Sequence, residues 1–197
     1  MNHRHLLKTL NFDAGYGWAF LGTELLFLLP LIAGETGRRQ LRYERSGLAA
    51  GELWRLLTAH VVHLDLRHAL LNCIGLALLW VLFARAYRAR AWLAIVAASI
   101  AAIDAGLWWW NSTVDWYVGS SGALHGVLAA GVVAQLRSGD RLGWLLLTVI
   151  AVKLAYEHAA GALPFAGNDP VVVAAHLYGA VGGALAATFL RPRSVPL

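Results

Sequence analysis

Long apolar blocks are the feature that most limits what this chain can fold into. Blocks of roughly 15 to 20 mostly apolar residues follow one another, and short polar stretches separate them. A helix needs about 20 such residues to cross the ~30 Å hydrocarbon layer of a bilayer. Only 14% of the residues are charged, whereas soluble domains carry about 25%. The pattern predicts an integral membrane protein and disfavours an ordinary water-soluble fold.

The apolar blocks predict six membrane-spanning helices in one all-α domain that covers residues 1–197. The predicted spans are Trp18–Ala33, Leu66–Phe83, Ala91–Trp110, Gly119–Leu136, Leu142–Glu157 and Val171–Leu190. Six spans place both termini on one side of the membrane. The second, fourth and sixth helices then run in the same direction, and all three begin at the opposite face.

The distribution of Lys and Arg predicts the orientation, because cytoplasmic connections are enriched in these residues. Nine of them lie on the side of the termini: Arg4, Lys8, Arg85, Arg88, Arg90, Arg137, Arg141, Arg191 and Arg193. The other side has five, all in the first connection: Arg38, Arg39, Arg42, Arg45 and Arg55. Both termini are therefore predicted to be cytoplasmic.

Basic residues between apolar blocks anchor a membrane protein, and no stripe of basic and aromatic residues suggests a nucleic acid partner. The expected surroundings are the lipid bilayer. The single cysteine, Cys73, excludes an intramolecular disulfide and a Cys-based metal cluster. We interpret it as a small buried hydrophobic residue.

Polar side chains fall at the starts of the second, fourth and sixth predicted helices, and polar residues within a membrane indicate a functional site. Ser121 opens the fourth helix, and His176 lies about five residues into the sixth, roughly 7 Å below its start. A serine hydroxyl becomes a nucleophile when a base accepts its proton. The pattern predicts acyl transfer with Ser121 as nucleophile and His176 as base.

Such a reaction needs hydrogen-bond donors for the oxyanion of its tetrahedral intermediate. His68 and Asn72 lie four residues apart and share a helix face, and the backbone N–H of Ser121 near a helix start is a third candidate. Polar groups on one face of a membrane helix also serve as contacts between helices, worth on the order of 1 kcal/mol. Both interpretations stay open for His68 and Asn72.

Three motifs carry a family resemblance: His63-x4-His68-x3-Asn72, Gly119-x-Ser121-Gly122 and His176-x2-Gly179-x3-Gly183. Together they resemble the signatures of rhomboid intramembrane serine proteases. The resemblance implies a six-helix rhomboid-like bundle, a serine–histidine dyad without a carboxylate, the oxyanion residues given above and no cofactor. It also implies membrane-anchored protein substrates and a site near the outer face.

The longer string Gly-Ser-Ser-Gly-Ala-Leu-His-Gly, residues 119–126, resembles the rhombosortase branch of that family. This resemblance implies cleavage of C-terminal sorting tails, each with a Gly-Gly motif, a hydrophobic span and a basic end. It also implies a bacterial inner membrane, with the site open to the periplasm.

One position departs from the rhomboid pattern. Rhomboids usually place a tyrosine four residues after the nucleophile, where this chain has His125. The imidazole could stack on His176 or form a hydrogen bond with it. It could also titrate; this is a hypothesis, and an unchanged pH–rate curve in a His125→Tyr variant would remove it.

Several flanking residues are predicted to have structural roles. Small residues at four-residue spacing let membrane helices approach closely, as in the fourth and sixth helices with Gly122, Gly126, Gly179, Gly182 and Gly183. Ser120 is predicted to cap its helix, His63 to form a structural hydrogen bond, and His60 to face solvent or the membrane interface. Charged residues inside spans need partners, which predicts pairing for Glu24, Asp104 and Lys153.

Other functions leave part of the pattern unexplained. A zinc site among His60, His63, His68, His158 and His176 would have Asp65 as its only nearby acid and no His-Glu-x-x-His pair. A small transporter predicts an inverted repeat, which the sequence does not contain. A non-catalytic rhomboid-like protein that binds membrane helices is the main rival, and such proteins usually lack the serine or the histidine.

The first connection and the fifth, Gly161 to Pro170, are predicted lids over the site.

Overall fold

The computed structural model describes residues 3–162 and 171–193, so most of the predicted lid in the fifth connection, residues 163–170, lies outside the described residues. The described part is mostly helical. Its helices are α1 (His3–Thr9), α2 (Ala14–Leu28), α3 (Gly34–Leu41), α4 (Arg45–Ala49), α5 (Arg55–Thr58), α6 (Leu66–Phe83), α7 (Ala89–Trp109), α8 (Ser121–Ser138), α9 (Arg141–Ala160) and α10 (Val173–Phe189).

Several of these helices are long and apolar enough to cross a membrane. Within the described ranges there are four such segments: Gly15–Leu41, Leu66–Phe83, Ala89–Trp109 and Arg141–Ala160. The apolar helix α10 is shorter, and α8 contains the polar residues His125, Gln135 and Arg137. The all-α membrane class is confirmed, and the count of six spans stays a prediction.

Several helix ends differ from the predicted ones. The first predicted span is not one α-helix, because α2 ends at Leu28 and a 3₁₀ turn continues to Ala33 around Pro30, which lacks the N–H that an α-helix would use. The fourth span begins at Ser121 and not at Gly119, whose φ of +120° is incompatible with a helix. Its end lies at Ser138, where Gly139 adopts a left-handed conformation. The sixth begins at Val173 and not at Val171.

Helices α8 and α10 approach each other more closely than side chains would allow. A Cβ atom added at Gly179 would lie 2.0 Å from the carbonyl oxygen of Gly122, and one added at Gly183 would lie 2.2 Å from that of Gly126. Each position therefore requires a glycine for direct contact between the two backbones. The sequence predicted this close approach, and the packing sets the distance between the first turns of the two helices.

The first connection is folded and holds the segment that precedes α8. Strand β1 (Tyr43–Glu44) pairs antiparallel with β2 (Trp116–Tyr117). The Arg45 guanidinium donates to the Leu107 carbonyl at the end of α7, at 2.7 Å. The buried Arg55 guanidinium donates to the carbonyls of residues 39 and 42, at 2.8 and 2.9 Å. These contacts fix the chain just before Ser121.

Of the three charged residues predicted to need partners inside the spans, Asp104 and Lys153 have them, whereas one carboxylate oxygen of Glu24 is buried without a hydrogen-bond partner among the described residues. The Lys153 ammonium lies 2.6 Å from a Glu157 carboxylate oxygen, and the His60 Nε2 atom lies 3.2 Å from Asp104 Oδ1. His60 is only 2% exposed, so the prediction that it faces solvent or the interface is wrong. The physical reason is that a carboxylate buried in α7 needs a hydrogen-bonding partner, and His60 provides it.

Candidate active site

Ser121 and His176 meet at the starts of two helices. Ser121 is the first residue of α8 and His176 is the fourth residue of α10. The distance between Ser121 Oγ and His176 Nε2 is 3.0 Å, which is within hydrogen-bonding range. The glycine contacts between the helices hold the pair together. The hydroxyl can therefore pass its proton to this imidazole.

The second nitrogen of His176 faces a carboxylate that the sequence analysis missed. His176 Nδ1 lies 2.9 Å from Glu157 Oε2, and Glu157 is 4% exposed. The ionised carboxylate only accepts, which assigns the proton of the neutral imidazole to Nδ1 and leaves Nε2 free to accept from Ser121. The predicted fifth span ended at Glu157, whereas α9 continues to Ala160. The four-residue spacing from Lys153 was a signal that could have placed Glu157 inside the helix.

His125 stacks on the base. Its ring lies 4.2 Å from the ring of His176, centroid to centroid, with 18° between the planes. Its Nδ1 atom is 2.7 Å from the Ser121 carbonyl oxygen. Because a carbonyl oxygen only accepts hydrogen bonds, the neutral His125 ring carries its proton on Nδ1. The imidazole thus packs flat against the base, which is one of the two contacts considered from the sequence.

His68 lies on the other side of the nucleophile. The Leu64 backbone N–H donates to His68 Nδ1 at 3.4 Å, which assigns the proton of the neutral ring to Nε2. A Cβ atom at Gly119 would lie 3.0 Å from His68 Nε2 and 4.0 Å from Ser121 Oγ. A side chain at Gly119 would therefore crowd the His68 imidazole, so a glycine is needed where this ring packs beside Ser121.

Asn72 is buried, one turn below His68 on the same helix. Its Nδ2 atom donates to the His68 carbonyl oxygen at 2.9 Å. This bond uses one of the two N–H groups of the amide. In this arrangement Asn72 contacts the backbone that carries His68.

Ser120 and His63 form a buried pair beside the site. His63 Nε2 lies 3.2 Å from Ser120 Oγ, and the rings of His63 and His68 meet edge to face at 5.2 Å. Ser120 occupies the N-cap position of α8, but its hydroxyl does not cap the helix as predicted, because it bonds to His63. Burial lowers the pKa of His63 to about 4, so this ring is neutral at pH 7.

A group of possible metal ligands overlaps the site. In the described part of the chain, ligand atoms of His125, Glu157 and His176 lie within 4.8 Å of one another. This is not the set considered from the sequence, and His158 is exposed at the end of α9. Hydrogen bonds to Ser121 and Glu157 engage both nitrogens of His176, which is the arrangement of a base in acyl transfer.

Fold and site together define a multi-pass helical membrane protein with a serine–histidine pair at the starts of two helices. Residues 50–193 match the Rhomboid domain, and the chain belongs to the rhomboid family. Rhomboid protease GluP of Bacillus subtilis (strain 168) is a relative with 27% identity over 185 residues, which cover 89% of this chain and 34% of that protein. The chain thus spans about a third of the length of this relative.

Proposed function

We propose that this chain is an intramembrane serine endopeptidase with Ser121 as nucleophile and His176 as general base. The observation that carries the proposal is the 3.0 Å contact between Ser121 Oγ and His176 Nε2. Membership of the rhomboid family supports it, as does the printed name of the relative, a rhomboid protease. The tautomer that Glu157 favours leaves Nε2 ready to accept a proton.

The proposed reaction has two halves. Ser121 Oγ attacks the carbonyl carbon of the scissile bond while its proton moves to His176 Nε2. His176 then gives that proton to the leaving amine as the C–N bond breaks, which leaves an acyl ester on Ser121. Water attacks the ester in the second half, with His176 again accepting and returning a proton, and the free serine is restored.

The oxyanion donors are proposed on the two sides of Gly119. His68 Nε2–H and the Ser121 backbone N–H would donate to the oxygen that becomes negative, and Asn72 would support His68 through its bond to the His68 carbonyl. Such donors act in the transition state more than in the bound substrate. Asn72 is also proposed as a third donor, as the sequence predicted, through the amide N–H that does not bond to the His68 carbonyl.

His68→Ala is expected to reduce kcat about 10²- to 10³-fold with little change in KM, because it removes one oxyanion donor. Steady-state cleavage of a reconstituted substrate gives both constants. His158→Ala is the matched control, since it removes an exposed histidine from α9. A kcat for His68→Ala equal to that of the control would contradict the oxyanion role.

The site is proposed to lie near the outer face of a bacterial inner membrane, with both termini in the cytoplasm. A cavity of about 380 Å³ in the first connection is lined by Arg38, His63 and Asp65, among others. His63, which lines this cavity, contacts both Ser120 and the ring of His68 on the side of the nucleophile. The cavity is the proposed path for water, and the first connection is the proposed gate.

The proposed substrates are membrane-anchored proteins with C-terminal sorting tails that contain Gly-Gly, as in rhombosortases. The supporting observation is the string of residues 119–126 around the nucleophile. The alternatives are a general rhomboid protease with other transmembrane substrates and a non-catalytic protein that binds membrane helices. The short separation of Ser121 and His176 favours an enzyme over the second alternative.

Cleavage in proteoliposomes tests both the activity and its specificity. One substrate carries a tail of Gly-Gly, an apolar span and an Arg-rich end, and the second has Leu-Leu in place of Gly-Gly. We expect the wild-type protein to cleave the first substrate faster, and the His176→Ala variant to cleave neither, because the substitution removes the imidazole that lies 3.0 Å from Ser121 Oγ. Mass spectrometry of the products gives the cleaved bond.

Each alternative predicts a different result in this assay. Equal cleavage of the two substrates would assign the chain to the general rhomboid proteases. Binding of both without cleavage would support the helix-binding protein. Undiminished cleavage by His176→Ala would contradict the proposed base.

A further inference from the structure

We propose that Glu157 is a positioning residue of the reaction, so that the site works as a Ser121–His176–Glu157 triad and not as a dyad. This inference rests on the proposed function. The dyad implied by the family resemblance contains no carboxylate, and the helix that contributes Glu157, α9, carries none of the three sequence motifs. The proposal comes from the contact between His176 Nδ1 and Glu157 Oε2, at 2.9 Å.

The location of the carboxylate suits this role. Glu157 is 4% exposed and His176 is 6% exposed, so water does not compete for their hydrogen bond. The two side chains come from adjacent helices, α9 and α10, and the Glu157 oxygen lies on the side of the imidazole away from Ser121. The three groups form a line from hydroxyl to base to carboxylate.

The chemistry follows from the two protonation sites of imidazole. A carboxylate on Nδ1 holds the ring in the tautomer whose Nε2 can accept the serine proton, and it stabilises the imidazolium that forms in the transition state. It remains ionised throughout, and no atom is transferred to it. His125 stacks on the face of the His176 ring. The hydrogen bond to Glu157 lies at the edge of that ring, so the stacking leaves it intact.

A structural role for Glu157 is the competing interpretation. Lys153 Nζ lies 2.6 Å from the other carboxylate oxygen, Oε1, and an ion pair of this kind makes charged groups tolerable inside a membrane helix. The carboxylate has one oxygen for each partner, so the geometry permits both roles at once. The two roles separate when Lys153 is removed together with Glu157.

Glu157→Gln is expected to lower kcat at least about a hundredfold while KM changes less than about threefold. The glutamine amide can donate to Nδ1 and thereby favour the tautomer with its proton on Nε2, which cannot accept from Ser121. A carboxylate-to-amide change beside the histidine of a serine protease costs about 10⁴ in kcat. Glu157→Asp keeps the charge and is expected to recover part of the lost kcat. Asp140→Asn, at the exposed N-cap of the same helix α9, is the matched control, because asparagine can keep the hydrogen bond to the Leu142 N–H.

The double variant Lys153→Met with Glu157→Gln decides between the two roles. If Glu157 only neutralises Lys153, removal of both charges restores kcat and the thermal midpoint. The triad predicts that kcat stays at the level of Glu157→Gln even where the midpoint recovers. Restored kcat in the double variant would overturn the proposal, as would an unchanged kcat in Glu157→Gln.

The same samples separate this inference from the proposed function and from a metal site. A wild-type protein that cleaves nothing would count against the protease itself, whereas an active wild type with an equally active Glu157→Gln variant would count only against the triad. One equivalent of zinc in the purified wild type, lost in Glu157→Gln together with activity, would assign Glu157 to the metal cluster with His125 and overturn the triad. The triad predicts full activity after dialysis against a chelator.

Discussion

Ser121→Ala is expected to abolish cleavage, with a loss of at least about 10⁴-fold in kcat. Removal of the nucleophile from a serine protease costs about 10⁶-fold, and the catalysis that remains comes from oxyanion stabilisation and binding. The substitution removes one oxygen at the start of α8, where the glycine contacts that join α8 to α10 remain. The thermal midpoint should therefore change little. Cleavage of the Gly-Gly substrate in proteoliposomes measures the loss.

Ser120→Ala is the matched control, because it removes the adjacent hydroxyl, which bonds to His63 and not to His176. This variant is expected to keep most of its activity. The assignment of the nucleophile would be wrong if Ser121→Ala retained wild-type cleavage, or if Ser120→Ala were the inactive one of the two.

Gly179→Ala is expected to lower activity at least about a hundredfold and to reduce thermal stability. The new Cβ would lie 2.0 Å from the carbonyl oxygen of Gly122, and a clash with backbone cannot be relieved by a side-chain rotation. Overpacking of this kind costs typically 1–3 kcal/mol. Moving α10 away from α8 also lengthens the contact between Ser121 and His176, and a misplacement of about 1 Å can cost a hundredfold in rate. Gly179→Leu should be more severe.

Gly22→Ala provides the comparison for this variant. Gly22 lies in α2, where an added Cβ has no neighbour within 4 Å, so the substitution should leave activity and thermal midpoint near the wild-type values. Equal behaviour of Gly179→Ala and Gly22→Ala would contradict the proposed dependence of the site on the contact between α8 and α10.

The meeting of Ser121 with His176 could be predicted because it depends on features that the sequence displays directly. Apolar block length locates the helices, their alternating direction brings the starts of α6, α8 and α10 to one face, and small residues mark where α8 and α10 touch. The structure places Ser121, His176 and His68 at these helix starts. No knowledge of side-chain orientation was needed.

Glu157 and His60 could not be predicted in this way. Whether Glu157 faces His176 or lipid depends on the rotation of α9 about its axis, and the apolar residues around most of that helix do not reveal the rotation. His60 lies in the folded first connection, where its burial against Asp104 depends on contacts between distant segments. The start of α8 was placed two residues early because hydropathy does not report the φ of Gly119.

Labelling of the purified protein with a fluorophosphonate probe tests the central claim most directly. The probe reacts with a serine only when a neighbouring base activates it, and peptide mass spectrometry identifies the modified residue. The proposed Ser121–His176 pair predicts one adduct on Ser121 that is absent from His176→Ala. An adduct on another serine, or an unlabelled Ser121 in a preparation that cleaves its substrate, would contradict it.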